Sequence, residues 1–235
     1  MRSIQGLKKE AEPIPARTFV PPQINLDDFE AVLFDMDGTL VDSEPIWFAV
    51  LQNVMQASGG HLPSEAHGQL HGLDRASTTS ILQDQYGLDR EPTAFWGTVI
   101  LELADALASV REMPGASAWI QRCVDRNLPR AVVSNSPRAM IEASLAPQSW
   151  GAHLGVRVSV EDVARGKPAP DSYLLACERL NVDPAKSLVI EDSEAGAHAA
   201  RSAGATLLFV TNGYFDVSKA LTYTPYVASS LEAWL

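Results

Sequence analysis

Short apolar runs, each ending on a polar residue, recur along the chain from Ala31 onward. Ala31-Val32-Leu33-Phe34 stops at Asp35, Ala131-Val132-Val133 at Ser134, Ser187-Leu188-Val189-Ile190 at Glu191 and Thr206-Leu207-Leu208-Phe209-Val210 at Thr211, with a weaker run from Gly155 to Val160. These read as strands. Helical spacing follows over Pro137 to Leu145, Pro170 to Leu180 and Glu194 to Ala203; Pro137 and Pro170 suit a first helical turn and Gly204 a C-terminal stop. Strands and helices in alternation predict an α/β fold built on a doubly wound parallel sheet.

One segment breaks the alternation. Pro45 to Glu112 carries helical patterns and no convincing strand, with helices expected over Pro45 to Ser58, Ala76 to Tyr86 and Pro92 to Val110, and breaks at Gly59-Gly60 and Gly72. It follows the first strand directly and returns at Met113-Pro114-Gly115. The expected organisation is therefore a helical cap (45–112) inserted into an α/β core (30–44 and 113–235), after an N-terminal extended arm (1–29). The arm holds Pro13, Pro15, Pro21 and Pro22 with mixed charges and no apolar core of a signal peptide.

Composition limits the partners. Apolar residues make up 46% and charged residues 20% of the 235, which excludes an intrinsically disordered chain. Eighteen basic residues are scattered among twenty-nine acidic ones, for a net charge of −11. Nucleic acid needs clustered Lys and Arg, so it is not an expected partner. A phosphate-bearing substrate would need strong local compensation. Cys123 and Cys177 give neither a disulfide framework nor zinc spacing and read as reduced core thiols. The stretch from Val99 to Val110 is interrupted by Glu102 and Asp105, so no membrane span is expected. Cytoplasmic residence follows from these features.

Four clusters carry candidate chemistry: Asp35-Met36-Asp37-Gly38-Thr39, Ser134-Asn135-Ser136, Gly166-Lys167-Pro168 and Glu191-Asp192-Ser193-Glu194. Counting from Asp35 as an EF-hand loop puts Leu40 at position six and Ile46 at position twelve, where Gly and Glu are required, so that reading fails. Three of the clusters sit at strand ends, where open α/β sheets bind ligands. Asp35, Glu191 and Asp192 there offer hard oxygen ligands for Mg²⁺, Ser134 and nearby backbone N–H groups can hold phosphate oxygens, and Lys167 adds a point charge.

With these four blocks in this order, the chain resembles the haloacid dehalogenase-like superfamily in its phosphatase and β-phosphoglucomutase branch. The resemblance runs from about Glu30 to the C-terminus, and Asp42-Ser43-Glu44-Pro45-Ile46-Trp47 is most similar to the sugar-phosphate phosphatases of that branch. It implies Asp35 as a nucleophile forming an aspartyl-phosphate and Asp37 as general acid, then base. It implies Ser134, Asn135 and Lys167 around the substrate phosphate, and Mg²⁺ held by Asp35, Asp37 through its main-chain carbonyl, Glu191 and Asp192.

The implied activity is hydrolysis of a small phosphorylated metabolite, a sugar or polyol phosphate, with a sugar phosphomutase as the alternative. A phosphonoacetaldehyde-type hydrolase needs a cap lysine, and the five lysines are Lys8, Lys9, Lys167, Lys186 and Lys219. A dehalogenase lacks the second aspartate, which is present here as Asp37. Arg75, His67 and His71 are the basic cap residues able to meet a substrate, and Arg138 is a further candidate. Trp47, Trp96 and Trp119 lie on apolar helical faces and are expected in the core.

Overall fold

The computed structural model describes residues 24–70, 73 and 75–235. Six strands form one sheet: β1 (Ala31–Phe34), β2 (Arg130–Val133), β3 (Val156–Val158), β4 (Ser187–Glu191), β5 (Thr206–Val210) and β6 (Val227–Ala228). Their order is β3-β2-β1-β4-β5-β6 and every pairing is parallel. All four residues of β1 are buried, as a central strand covered on both faces requires. The two-residue pleat sends Val32, Phe34, Leu188 and Ile190 to one layer and Leu33 and Val189 to the other.

The helices are α1 (Glu44–Ala57), α2 (His67–Leu70), α3 (Arg75–Tyr86), α4 (Pro92–Ala106), α5 (Ala116–Asp125), α6 (Arg138–Leu145), α7 (Asp171–Leu180), α8 (Glu194–Ser202) and α9 (Val217–Ala220). Trp119 of α5 and Ile141 of α6 join the first layer, whereas Tyr173 of α7 and Ala197 and Ala200 of α8 join the second. Local chemistry fixes the helix ends. Glu91 caps α4 by accepting from the N–H groups of Thr93 and Ala94, and α8 ends at Gly204, whose φ of +82° suits glycine.

Between β1 and α5 the described elements are all helical. The chain leaves and re-enters side by side: the Asp42 N–H donates to Arg111 O at 2.9 Å and the Met113 N–H to Leu40 O at 2.9 Å. Three details differ from the expected pattern. The helix foreseen to Val110 stops at Ala106 and tightens into a 3-10 turn, Leu107–Ser109, before Val110 turns extended. The run from Gly155 is a strand only over Val156–Val158, because Ser159 caps a 3-10 turn at Val160–Asp162. The edge strand β6 is too short to stand out as an apolar run.

The expected extended arm of residues 1–29 is corrected at its end. Asn25 caps a 3-10 turn at Leu26–Asp28, and burial of the Leu26 side chain pins it to the core. Residues 1–23 of that arm, His71 and the Gly72 break lie outside the described residues. Among those described, no helix is long and apolar enough to cross a membrane.

Candidate active site

Asp35 is the first residue past β1, and its N–H continues the ladder by donating to Ile190 O at 2.9 Å. The chain then turns sharply. The N–H groups of Thr39, Leu40 and Val41 all converge on Met36 O, and Gly38 takes a φ of +79°. A Cβ on Gly38 would also fall 2.0 Å from Asp192 Oδ2, so the turn needs glycine for its backbone and for its neighbour. Asn212, just beyond β5, donates to Gly38 O at 2.6 Å and fixes the turn from the other side.

Lys167 lies at the centre of the site, buried, with its ammonium fully engaged. Nζ donates to Asp35 Oδ1 at 2.7 Å, Glu191 Oε1 at 2.6 Å and Val133 O at 2.8 Å. Asn135 holds the loop that carries it. The Lys167 N–H donates to Asn135 Oδ1 at 2.8 Å, and Asn135 Nδ2 donates to Lys167 O at 3.0 Å.

Glu191 is fully buried and accepts on both oxygens. The Tyr173 hydroxyl donates to Oε1 at 2.8 Å; the Asp192 and Ser193 N–H groups and the Ser193 hydroxyl donate to Oε2. The Tyr173 ring centroid lies 4.8 Å from the Lys167 ammonium, a cation–π contact. Oxygens of Asp35, Glu191 and Asp192 all fall within 4.8 Å of one another, while Thr39 Oγ1 reaches Asp192 Oδ1 at 3.4 Å.

Asp37 faces a different set of partners. Its Oδ1 accepts from the Ser43 hydroxyl at 2.6 Å, and its Oδ2 from the hydroxyls of Ser136 at 2.9 Å and Ser134 at 3.1 Å. Ser134 spends its own N–H on Val158 O at 3.0 Å. The seven candidates lie beyond the strand ends in two neighbouring sets: Asp35, Asn135, Lys167, Glu191 and Asp192 around the ammonium, and Asp37 with Ser134 among the hydroxyls. Arg138 is drawn away from both, because its guanidinium pairs with Asp162.

Charge is unbalanced here: the carboxylates of Asp35, Glu191 and Asp192 cluster around one ammonium. Burial first, then the neighbouring Glu191 carboxylate, push Asp35 up to about 8 against the pull of Lys167. Asp192 is likewise raised, by burial and then by Asp35 and Glu191. Burial would lower Lys167, but Asp35 and Glu191 outweigh it and hold the ammonium charged. A buried set of hard oxygens with excess negative charge fits a small divalent cation.

A cleft of about 460 Å³ opens from Asp37, Asn135 and Ser136 towards the helical segment. Trp96 is buried in the core as expected and also lines the cleft, Trp47 is half-buried between core and cleft, and Trp119 is buried in the core with its Nε1–H donating to Leu231 O at 2.9 Å. Arg75 lies at the cleft, and His67 pairs with Glu44 at 3.1 Å. Sequence reasoning missed the roles of Ser43, Ser136 and Tyr173. Ser43 and Ser136 stand inside motif wording, but a hydroxyl announces no partner. Tyr173 is an aromatic residue near a helix start, a pattern that ordinary packing also produces.

The profile of the haloacid dehalogenase-like hydrolases matches residues 29–204, three quarters of the chain. The chain belongs to that family. This haloacid dehalogenase-like hydrolase is 30% identical over 200 residues to the phosphorylated carbohydrates phosphatase of Thermotoga maritima, an alignment covering 85% of this chain and 93% of the relative. It is 32% identical over 192 residues to the fructose-1-phosphate phosphatase of Escherichia coli, covering 75% and 93% respectively. The crystal structure of a HAD family hydrolase from Deinococcus radiodurans, with bound phosphate and sodium, superposes with a TM-score of 0.70 at 30% identity. That match covers 87% of this chain and 93% of the other.

Proposed function

We propose that this hydrolase is a Mg²⁺-dependent phosphoric monoester hydrolase that works through an aspartyl-phosphate on Asp35. The observation that carries the reading is the buried Lys167 ammonium, 2.7 Å from Asp35, beside a carboxylate cluster and one turn of chain from the hydroxyl-bound Asp37. The named phosphatase relatives agree with it. Phosphorylated sugars and polyols are the first candidates as substrates on the same ground, and the small helical segment over the site is read as the cap.

Asp35 attacks phosphorus in line, a P–O bond to the carboxylate forms and the bond to the alcohol oxygen breaks. Asp37 delivers a proton to the departing oxygen and then takes one from the water that attacks phosphorus. The bond between Asp35 and phosphorus breaks in that second step, releasing inorganic phosphate. Hydroxyls of Ser43, Ser134 and Ser136 aim the Asp37 carboxyl and can exchange it for the incoming phosphate. Lys167 faces the charge that develops on the phosphoryl oxygens. Asn135 serves the substrate through its grip on the Lys167 backbone.

Asp35, Asp192 and Glu191, with the main-chain carbonyl of Asp37, would hold the cation. When bound, Mg²⁺ supplies positive charge that neutralises the meeting of carboxylate and phosphate and acts as a Lewis acid. Phosphate release from a panel of phosphomonoesters tests the reading. Activity should vanish with EDTA, return with Mg²⁺ and be absent in Asp35→Asn. The parent protein, mixed with substrate and quenched rapidly in acid, should gain the mass of one phosphoryl group on the peptide containing Asp35. Full turnover in Asp35→Asn would end the proposal, and exchange between sugar-phosphate isomers without phosphate release would make the chain a mutase.

A further inference from the structure

The turn that carries Asp37 is short of a donor. Its N–H groups are spent within it, those of Thr39, Leu40 and Val41 on Met36 O and that of Gly38 on Val41 O at 2.9 Å, so Gly38 O is left to an outside partner. Asn212 supplies it. Its Nδ2 donates to Gly38 O at 2.6 Å, across 174 positions of chain and from outside the four sequence blocks.

The backbone around Asn212 presents that amide. Asn212 and Gly213 take φ values of +49° and +75° in succession, a left-handed bend that most side-chain-bearing residues avoid and asparagine tolerates. Asn181 adopts it to close α7, whereas Asn212 follows a strand. Buried Thr211 anchors the bend. Its N–H and hydroxyl both donate to Ala228 O of β6, at 2.8 and 3.2 Å, and its carbonyl accepts from the N–H groups of Tyr214 and Phe215. A non-glycine residue held there by fixed surroundings, with its side chain aimed at a site, suggests a task at that site.

Gly38 is also where the turn meets the carboxylates. A Cβ there would strike Asp192 Oδ2, and Thr39 Oγ1 reaches Asp192 Oδ1 at 3.4 Å. Asp35, Glu191 and Asp192 repel one another until a cation arrives, so an untethered turn would have to be gathered again at the expense of affinity. We propose that Asn212 is a positioning residue for the cation: by holding Gly38 O it keeps the turn that bears the Asp37 main-chain carbonyl packed on Asp192. The inference rests on the metal-dependent reading above. Loss of an outer partner of this kind weakens metal binding by about 10- to 100-fold, and a neutral amide donor belongs at the lower end.

Calorimetric titration of Mg²⁺ into the full chain, without substrate, tests it. Asn212→Gly removes the donor and leaves the left-handed bend unstrained, so the fold is kept. The Kd for Mg²⁺ should rise by about tenfold, while Tm in EDTA falls by no more than about 4 °C. Phosphate release should drop at limiting Mg²⁺ and recover as Mg²⁺ is raised, with little change in KM for the ester. An Asn212→Gly protein that binds Mg²⁺ as tightly as the parent would overturn the inference whatever its Tm. Failure of that variant to fold would overturn it as well, since the amide would then hold the fold and not the site. If the parent itself took up no Mg²⁺, the metal-dependent reading would fall and this one with it.

Discussion

Gly196 sits in the first turn of α8, where its N–H donates to the capping hydroxyl of Ser193 at 3.0 Å. On propensity alone, Gly196→Ala should stabilise that helix by up to about 1 kcal/mol. Its neighbour reverses the sign. The added Cβ would lie 1.7 Å from Glu191 Oε1 and 2.2 Å from Oε2, about half the ordinary separation of roughly 3.4 Å.

Glu191 has to move by more than an ångström, and its oxygens are the acceptors for Lys167, Tyr173, Ser193 and two backbone N–H groups. Breaking a buried ion pair costs about 3 to 5 kcal/mol, and partial relaxation leaves a net loss of about 2 kcal/mol after the gain in propensity. For a chain of this size that lowers Tm by about 4 to 8 °C. Activity should fall further than stability, because Lys167 loses one of its two carboxylate anchors beside Asp35. Thermal and urea unfolding with the phosphate-release assay measure both. A Gly196→Ala protein at least as stable as the parent, with full turnover, would refute the claim that helix and carboxylate compete for that space.

Other outcomes follow from the same geometry. Asp35→Asn should fold and, in EDTA, melt no lower than the parent, because it removes a charge that burial and Glu191 disfavour; a drop in Tm beyond about 5 °C would contradict this. Lys167→Met leaves Asp35 and Glu191 without their cation and should cost about 3 to 5 kcal/mol in urea unfolding, a loss below about 1 kcal/mol being incompatible with the buried pair. Ser43→Ala, which removes the 2.6 Å donor to Asp37, should move the acid-base limbs of the kcat pH profile, and an unmoved profile would separate Ser43 from the proton transfer. Asp162 is held at about 2: burial works to raise it, but the Ser159 N–H, Arg179 and Arg138 prevail. A depressed carboxyl stabilises the fold above its unfolded value near 4 and loses that contribution as pH falls towards 2. Asp162→Asn should therefore be about 1 to 2 kcal/mol less stable at pH 7 and approach the parent in acid.

The parallel sheet was legible because most of its strands are short apolar runs, three of them halted by the site residues Asp35, Ser134 and Glu191. Val32 and Phe34, with Leu33 between them, are apolar on both faces because helices cover both, and that leaves an unbroken run in the sequence. Asp35, Glu191 and Asp192 were readable as one group because strand ends place them side by side, whereas Lys167, in the loop before α7, joined them only through the order of the four blocks. What the chain did not disclose lies in contacts between distant segments. Ser43 and Ser136 meet on Asp37 only after folding, and Tyr173 reaches Glu191 from α7 across the sheet. Trp47 and Trp96 have the helical spacing of core residues, and nothing in that spacing separates a packed interior from the wall of a cleft. Leu26 was hidden for the opposite reason, since it and its neighbours Ile24 and Phe29 stand among polar residues at spacings too irregular to give a period.

The two backbone crossings between Leu40–Asp42 and Arg111–Met113 form a short double strap, and they lie between Asp37 and Ser43 in the path of the chain. Tilting the helices outward about that strap, to admit a ligand, must stretch the Ser43 tether on Asp37. Swinging them back shortens it again. Opening the doorway and unlatching the proton donor would then be a single mechanical act, with the carboxyl re-aimed each time the entrance shuts.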